Sequence, residues 1–295
     1  MHDWPALAAS LAATLGTKVA AEPNARVHGG CINESYRWES ATGPFFVKIA
    51  APTGLDALEA EAAGLAELAR AKAVRVPKVR GAGTTATTAY LALEWIDFAR
   101  SSSQAETLFG DQLATQHRAM ASHFGWERDN TIGSTPQRNA RSSDWVEFFR
   151  ERRLRSQLDL ARRNGFAGRL QERGMRLLEL MGAYFSSYRP VPSLLHGDLW
   201  GGNWGVDAAG VPLIFDPAVY YGDREADLAM TRLFGGFGNA FYTAYHGNWP
   251  LDQAAASRRD LYNLYHVLNH ANLFGGEYAG QALSMIDHLL AGLGH

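Results

Sequence analysis

Residues 194–203 read Leu-Leu-His-Gly-Asp-Leu-Trp-Gly-Gly-Asn. His196, Asp198 and Asn203 fit His-x-Asp-x-x-x-x-Asn, the spacing of a phosphoryl-transfer catalytic loop. That chemistry asks for a carboxylate to orient an attacking hydroxyl and take its proton. It also asks for oxygen ligands that hold Mg²⁺ against phosphates. Asp198 is the candidate base and Asn203 a candidate metal ligand. An apolar, strand-like run over 211–215 ends in Asp216, a second carboxylate on the same rim and the second candidate metal ligand. Taken alone, His-Gly-Asp also suits an ordinary surface turn. The strand and aspartate that follow it favour chemistry.

The N-terminal part supplies an independent half. Lys48 lies between apolar residues in Phe46-Val47-Lys48-Ile49. A lysine in such a strand points either into a cleft or to an exposed face, and in a nucleotide site it binds phosphates and pairs with a helix glutamate. The helical pattern over 55–70 offers Glu59, Glu61 and Glu67. Leu58, Leu65 and Leu68 form its apolar stripe, Glu61 falls within roughly 40° of the latter two, and Glu59 lies on the far side. Glu61 is therefore the expected partner of Lys48, although a glutamate at a stripe edge can also hold its head in water. Gly29-Gly30, one hairpin before Lys48, suits a turn whose backbone N–H groups approach phosphate, as well as a plain turn. Residues 91–97 occupy the place of an inter-lobe hinge, so Glu94, Trp95, Ile96 and Asp97 are expected beside the adenine of ATP.

Around these residues the pattern predicts a helix over 3–15, a hairpin of strands 35–39 and 45–50, and strands over 77–83 and 90–96. From Gln104 onward it is mostly helical, near 104–124, 143–163, 169–187, 224–233 and 253–293. The expectation is an α+β, two-lobed protein-kinase-like fold. A small antiparallel-sheet lobe over 1–97 would precede a mainly helical lobe over 98–295. Of the 295 residues, 46% are hydrophobic and 20% charged, enough for a sizeable core. A net charge of −2 gives no broad positive field and argues against nucleic-acid binding. No apolar run is long enough to span a membrane. The single cysteine, Cys31, excludes an internal disulfide, and no signal peptide is visible, so the expected compartment is the cytoplasm.

Several stretches resemble the fructosamine (ketosamine) kinase family, related to aminoglycoside phosphotransferases and choline kinases. They are 194–203, Phe-Asp-Pro-Ala-Val-Tyr-Tyr-Gly-Asp-Arg-Glu-Ala-Asp-Leu-Ala-Met over 215–230, Gly-Gly-Cys-Ile-Asn-Glu-Ser-Tyr over 29–36, Ser-Thr-Pro-Gln over 134–137 and Leu-Asn-His-Ala-Asn-Leu-Phe-Gly-Gly over 268–276. The resemblance runs from about residue 4 to the end. It implies that Asp198 accepts the proton, that residues 95–97 line the ATP site and that Asp216 and Asn203 hold metal. The implied reaction carries the γ-phosphoryl of ATP to the O3 hydroxyl of a small-molecule or protein-bound ketosamine. Two other readings stay open: a kinase of another small alcohol, aminoglycoside- or choline-like, and a nucleotide-binding pseudoenzyme. The last would need one of Lys48, Glu61, Asp198, Asn203 or Asp216 to be missing, and all are present.

Asp227 is similar to the carboxylate that braces the family's catalytic loop, and His196 is read as structural. His266 and His270, at i and i+4, are read as packing or cleft-wall residues. The arginine run over 150–163 is read as a solvated helix face. Trp145, Phe148, Phe149, Trp200, Tyr220 and Tyr221 suit either an acceptor pocket or plain packing. Cys31, directly after Gly29-Gly30, is expected to make the protein redox-sensitive through a disulfide to glutathione or to Cys31 of a second copy, a redox-linked homodimer, or else to be small, buried and inert.

Overall fold

A computed structural model describes residues 2–27 and 34–295. Helix α1 (Trp4–Leu15) starts where Asp3 accepts a hydrogen bond from the Ala6 N–H at 3.0 Å, and ends at Gly16 with φ +64°. The strands β1 (Ala25–Val27), β2 (Glu34–Ser40) and β3 (Gly43–Ala50) follow, then helix α2 (Leu55–Arg70), β4 (Val79–Thr84) and β5 (Ala89–Glu94). They form one antiparallel sheet of order β1-β2-β3-β5-β4. Alternation along β3 decides what each face carries. Phe45, Val47 and Ile49 bury against Trp38, Tyr90 and the α1 residues Leu7 and Leu11. Phe46, Lys48 and Ala50 face the other way, where Leu58 and Leu65 of α2 pack on Leu91 and Leu93. Lys48 is thus on the α2 side of the sheet.

The pairing changes after Glu94. Strand β6 (Phe98–Ala99) leaves the first sheet and joins the second part of the chain, which runs on through α3 (Ser103–His117), β7 (Asn130–Ile132), β8 (Thr135–Gln137), α4 (Trp145–Phe149), α5 (Ser156–Arg163) and α6 (Arg169–Leu180). Then come β9 (Ser193–Leu195), β10 (Trp204–Asp207), β11 (Pro212–Ile214), β12 (Tyr220–Gly222), α7 (Glu225–Leu233), α8 (Asn239–Asn248), α9 (Ala255–Phe274) and α10 (Glu277–Gly292). β10 pairs with both β6 and β11, and β9 with β12. These short ladders pin two loops: 196–203 between β9 and β10, and 215–219 between β11 and β12. Helices surround them over a core that includes Phe109, Trp145, Phe148, Leu264 and Leu268. No helix among the described residues is long and apolar enough to cross a membrane.

Three helical expectations differ. The first ends at His117, because the next residues leave the helix and bridge to Ser193, Ser142 and Tyr221. The segment 253–293 is two helices, broken where Gly275 and Gly276 both take positive φ. Helix α8 was not predicted: its sequence, Asn-Ala-Phe-Tyr-Thr-Ala-Tyr-His-Gly-Asn, carries little helical stripe and is held by packing on α3. A Cβ at Gly110 of α3 would sit 2.3 Å from the Phe241 carbonyl oxygen, so only glycine admits that approach.

Two fully buried ionised groups tie α7 to α9. Arg258 donates from Nε and Nη2 to the two oxygens of Glu225, each at 2.8 Å, with side-chain exposures of 0% and 4%. Breaking one half leaves the other charge buried and unpaired. Arg258→Ala is expected to lower the unfolding free energy by about 3–5 kcal/mol in urea denaturation. Replacing both partners by methionine is expected to cost much less.

Candidate functional site

The loop 196–203 is braced from beneath. Asp227, in the first turn of α7, accepts from the N–H groups of His196 (2.7 Å) and Gly197 (2.9 Å), and His117 Nε2 lies 3.2 Å away. Burial alone would raise its pKa, but His117 and the loop N–H groups outweigh burial and hold the carboxyl below its ordinary value. His196 Nε2–H donates to the Phe215 carbonyl at 2.9 Å, and its Nδ1 accepts the Asp198 N–H at 3.2 Å. Burial pushes this imidazole's pKa down, so it braces the backbone as a neutral ring. Gly197 has φ +84°, and a Cβ there would lie 2.0 Å from the Ala218 carbonyl oxygen. The loop can therefore pack on 216–218 only with glycine at this place.

Asp198 sits above the brace with its side chain 24% exposed. The Asn203 amide nitrogen donates to the Asp198 carbonyl at 2.9 Å and to its Oδ2 at 3.3 Å, leaving the amide oxygen free for another partner. Burial, then the nearby carboxylates of Asp216 and Asp227, pushes the Asp198 pKa up to about 7. Asp216 is one of two non-glycine residues with positive φ among the described residues, at +56°. Such strain persists where surrounding structure over-determines it. Here the Phe215 N–H is held by the Asn203 carbonyl at 3.1 Å, and Ala218 N–H by His196 at 2.8 Å.

Lys48 reaches across the cleft to this group. Its Nζ donates to Glu61 Oε1 at 2.7 Å and to Asp216 Oδ1 at 2.6 Å. Burial works against the ammonium charge, but the two carboxylates outweigh it and hold the pKa above its ordinary value. Glu59 points elsewhere, toward Arg128 at 3.5 Å. Lys48, Glu61, Asp198, Asn203 and Asp216 are thus gathered at one cleft from four separate segments.

The remaining expected residues are more varied. Trp95, Ile96 and Asp97 form the connection between β5 and β6, and the Trp95 Nε1–H donates to Asp97 at 2.9 Å. The Glu94 side chain is committed to Arg75 (2.8 Å) and to the Lys78 N–H (3.1 Å). Gly29, Gly30 and Cys31 lie outside the described residues, and with them the homodimer expected through Cys31.

One reading of the helical part changes. Arg153 is fully buried rather than solvated: it donates to the Arg138 carbonyl and to Asn139 Oδ1, both at 2.7 Å, and lies over the Tyr220 ring at 4.0 Å. A π-helical turn over Arg150–Arg155 shifts the helical register and carries it inward. Trp145, Phe148, Phe149 and Tyr220 are core residues. His266, by contrast, lies at the site, its Nδ1 3.9 Å from Asp198 Oδ1. Beside the loop, a cleft of about 390 Å³ opens between Phe98, Gly201, Trp204, Gly205, Phe215 and Gly236.

The sequence profile of the fructosamine kinase family matches residues 3–292. A chloroplastic protein-ribulosamine 3-kinase of Arabidopsis thaliana is 45% identical over 268 residues, covering 90% of this chain and 81% of its own. A protein of Synechocystis sp. named a probable ketoamine kinase is 42% identical over 291 residues, 97% of each chain. A crystal structure from Haemophilus somnus, assigned as a fructosamine-3-kinase, superposes with a TM-score of 0.88 at 27% identity over 97% of each chain. The fold is the two-lobed, protein-kinase-like one expected from the sequence.

The Lys48–Glu61 contact is expected to act as a unit. In titrations with a fluorescent ATP analogue, Lys48→Met and Glu61→Gln should each weaken binding, and the double variant should cost less than their sum, with a coupling of about 0.5–3 kcal/mol. Additive losses would show that the pair does not act together.

Proposed function

Because the chain belongs to the fructosamine kinase family, we propose that it transfers the γ-phosphoryl group of ATP to a hydroxyl of a ketosamine, a ketose carried on an amine. The relatives named for 3-kinase activity point to O3 as the acceptor and to ribulosamines or fructosamines, free or protein-bound, as substrates. The observation that carries this reading is the cleft itself: Lys48, held by Glu61 on one lobe, meets Asp216 of the other at 2.6 Å, beside Asp198. We place the boundary between the two lobes at residues 95–97, and the adenine against the backbone there. The compartment proposed is the cytoplasm, where ATP is abundant.

In this reading Lys48 binds phosphate oxygens while keeping Glu61 as its counter-charge. The second carboxylate oxygen of Asp216 and the amide oxygen of Asn203 are hard donors without a partner among the described residues, which suits Mg²⁺. When bound there, Mg²⁺ supplies charge neutralisation on the phosphates. Asp198 orients the acceptor hydroxyl and receives its proton as the new O–P bond forms and ADP departs. Its raised proton affinity suits that task near neutrality.

The direct test is ADP release with ribulose-lysine, fructose-lysine, kanamycin and choline as acceptors. Turnover confined to kanamycin or choline would overturn the ketosamine assignment. In the same assay Asp198→Asn should keep nucleotide binding while kcat falls by at least about 10²-fold. Near wild-type turnover would remove Asp198 from the mechanism. Asp216→Ala should abolish the Mg²⁺ dependence of ATP-analogue binding, and an unchanged dependence would refute its role as metal ligand.

A further inference from the structure

Helix α9 presents a row of polar side chains to the body of the protein, and most of them are fastened, Asn263 being buried without a partner for its Oδ1 among the described residues. Arg258 is paired with Glu225. Tyr262 donates to Asp223 at 2.5 Å, Tyr265 to Gln137 at 2.8 Å, and Asn269 accepts from Gln157 at 3.1 Å. The helix is therefore a stiff platform. His266 stands among these residues, 5% exposed, and its ring makes no hydrogen bond to the described residues. Buried polar groups normally find a partner, so an unpaired imidazole in this setting calls for one. The nearest acceptor is the Asp198 carboxylate, 3.9 Å from Nδ1.

The carboxylate in turn has one restrained oxygen and one unrestrained. Asn203 donates to Oδ2 at 3.3 Å. Nothing among the described residues donates to Oδ1, the oxygen that faces His266. The χ2 torsion of an aspartate is broad and roughly two-fold, so a carboxylate held at one oxygen can still swing. A base that must meet a hydroxyl at hydrogen-bond distance gains from a second restraint.

We propose that His266 is a positioning residue for the phosphoryl-acceptor step, donating its Nδ1–H to Oδ1 of Asp198 so that His266 and Asn203 grip the carboxylate from both sides. The proposal rests on the kinase reading above for the role of Asp198. The gap of 3.9 Å is longer than a hydrogen bond. Contacts of this kind are often long without substrate and tighten when the reacting complex forms. A modest turn of the carboxylate about χ2 brings Oδ1 into range without moving α9. Burial, with His270 adding to it, pushes the His266 pKa down to about 3, so the ring donates as a neutral group. A neutral donor orients the carboxylate, whereas an imidazolium at the same place would stabilise its charge and weaken it as a base.

Two measurements test this, one with and one without an acceptor. In kinetics with ribulose-lysine, His266→Ala should lower kcat by about 10- to 100-fold, the size seen when an orienting partner is removed. KM for ATP should stay unchanged, and His266→Gln, which keeps an amide donor, should recover most of the loss. In an Asp198→Asn background, His266→Ala should cost nothing further, an effect that a merely structural role would not give. A kcat within about two-fold of wild type, or the same loss in both backgrounds, overturns the proposal. The second measurement is a ¹H–¹⁵N spectrum of ¹⁵N-histidine-labelled protein, which needs no acceptor and so separates this inference from the substrate assignment. His266 should be the Nδ1–H tautomer, with its resonances displaced by Asp198→Asn. An Nε2–H tautomer, or resonances indifferent to that substitution, overturns the proposal even if no ketosamine is turned over.

Discussion

Four carboxylates share one cleft in this protein, and how each is compensated determines what each can do. Asp227 has the helix N-terminus of α7, two backbone N–H groups and His117. Glu61 and Asp216 share the Lys48 ammonium. Asp198 has one amide, from Asn203, and the like charges of Asp216 and Asp227 nearby. It therefore holds a proton more readily than Asp227 does. The base is selected less by anything special in its own contacts than by what its neighbours have already taken up.

Compensation relies on few formal cations. His117, His196 and His266 are all buried near these carboxylates, and burial pushes the pKa of each down. They contribute directed N–H groups and lone pairs without adding charge. Beside Asp198, Lys48 is a cation held directly between Glu61 and Asp216, so a phosphate arriving in the cleft would meet it already paired and fixed in position. Pairing with Glu61 keeps the ammonium in place after Asp216 turns toward other partners. The strained backbone at Asp216 and the glycine at 197 are the local costs of bringing 196–198 and 215–218 close enough for this arrangement.

The parts of this site that the sequence made legible are those set by local periodicity. Two-residue alternation puts Lys48 opposite α1, and the helical wheel of α2 separates Glu61 from Glu59. The loop 194–203 carries its spacing in a single contiguous stretch. Parts that depend on where one helix lies against distant chain were not legible. Nothing in the i, i+4 pattern of His266 and His270 distinguishes the ring beside Asp198 from the one packed among Phe234, Phe274 and Tyr278. Arg153 was misread because a π-turn displaces the register on which the solvated-face expectation depends. Helix α8 was missed because its stability comes from contact with α3 rather than from its own pattern.

The two halves of the cleft are also tied behind the site. Arg75, between α2 and β4, pairs with Glu94 at the end of β5 and with Asp207 at the end of β10, and its carbonyl accepts the Ile214 N–H at 3.0 Å. One residue thus joins the connection after α2, the start of the inter-lobe segment and the β10–β11 ladder that carries Asn203 and Asp216. A motion that opened the cleft at Arg75 would break its ion pair with Asp207 and a backbone hydrogen bond together. On the far side of the cleft, Lys48 meets Asp216, Glu67 of α2 accepts from the Tyr221 hydroxyl at 2.6 Å, and Arg128 pairs with Asp56 of α2 at 2.6 Å. The contact from Lys48 to Asp216 is also the one a phosphate replaces, since both carboxylate and phosphate are anionic partners for the same ammonium.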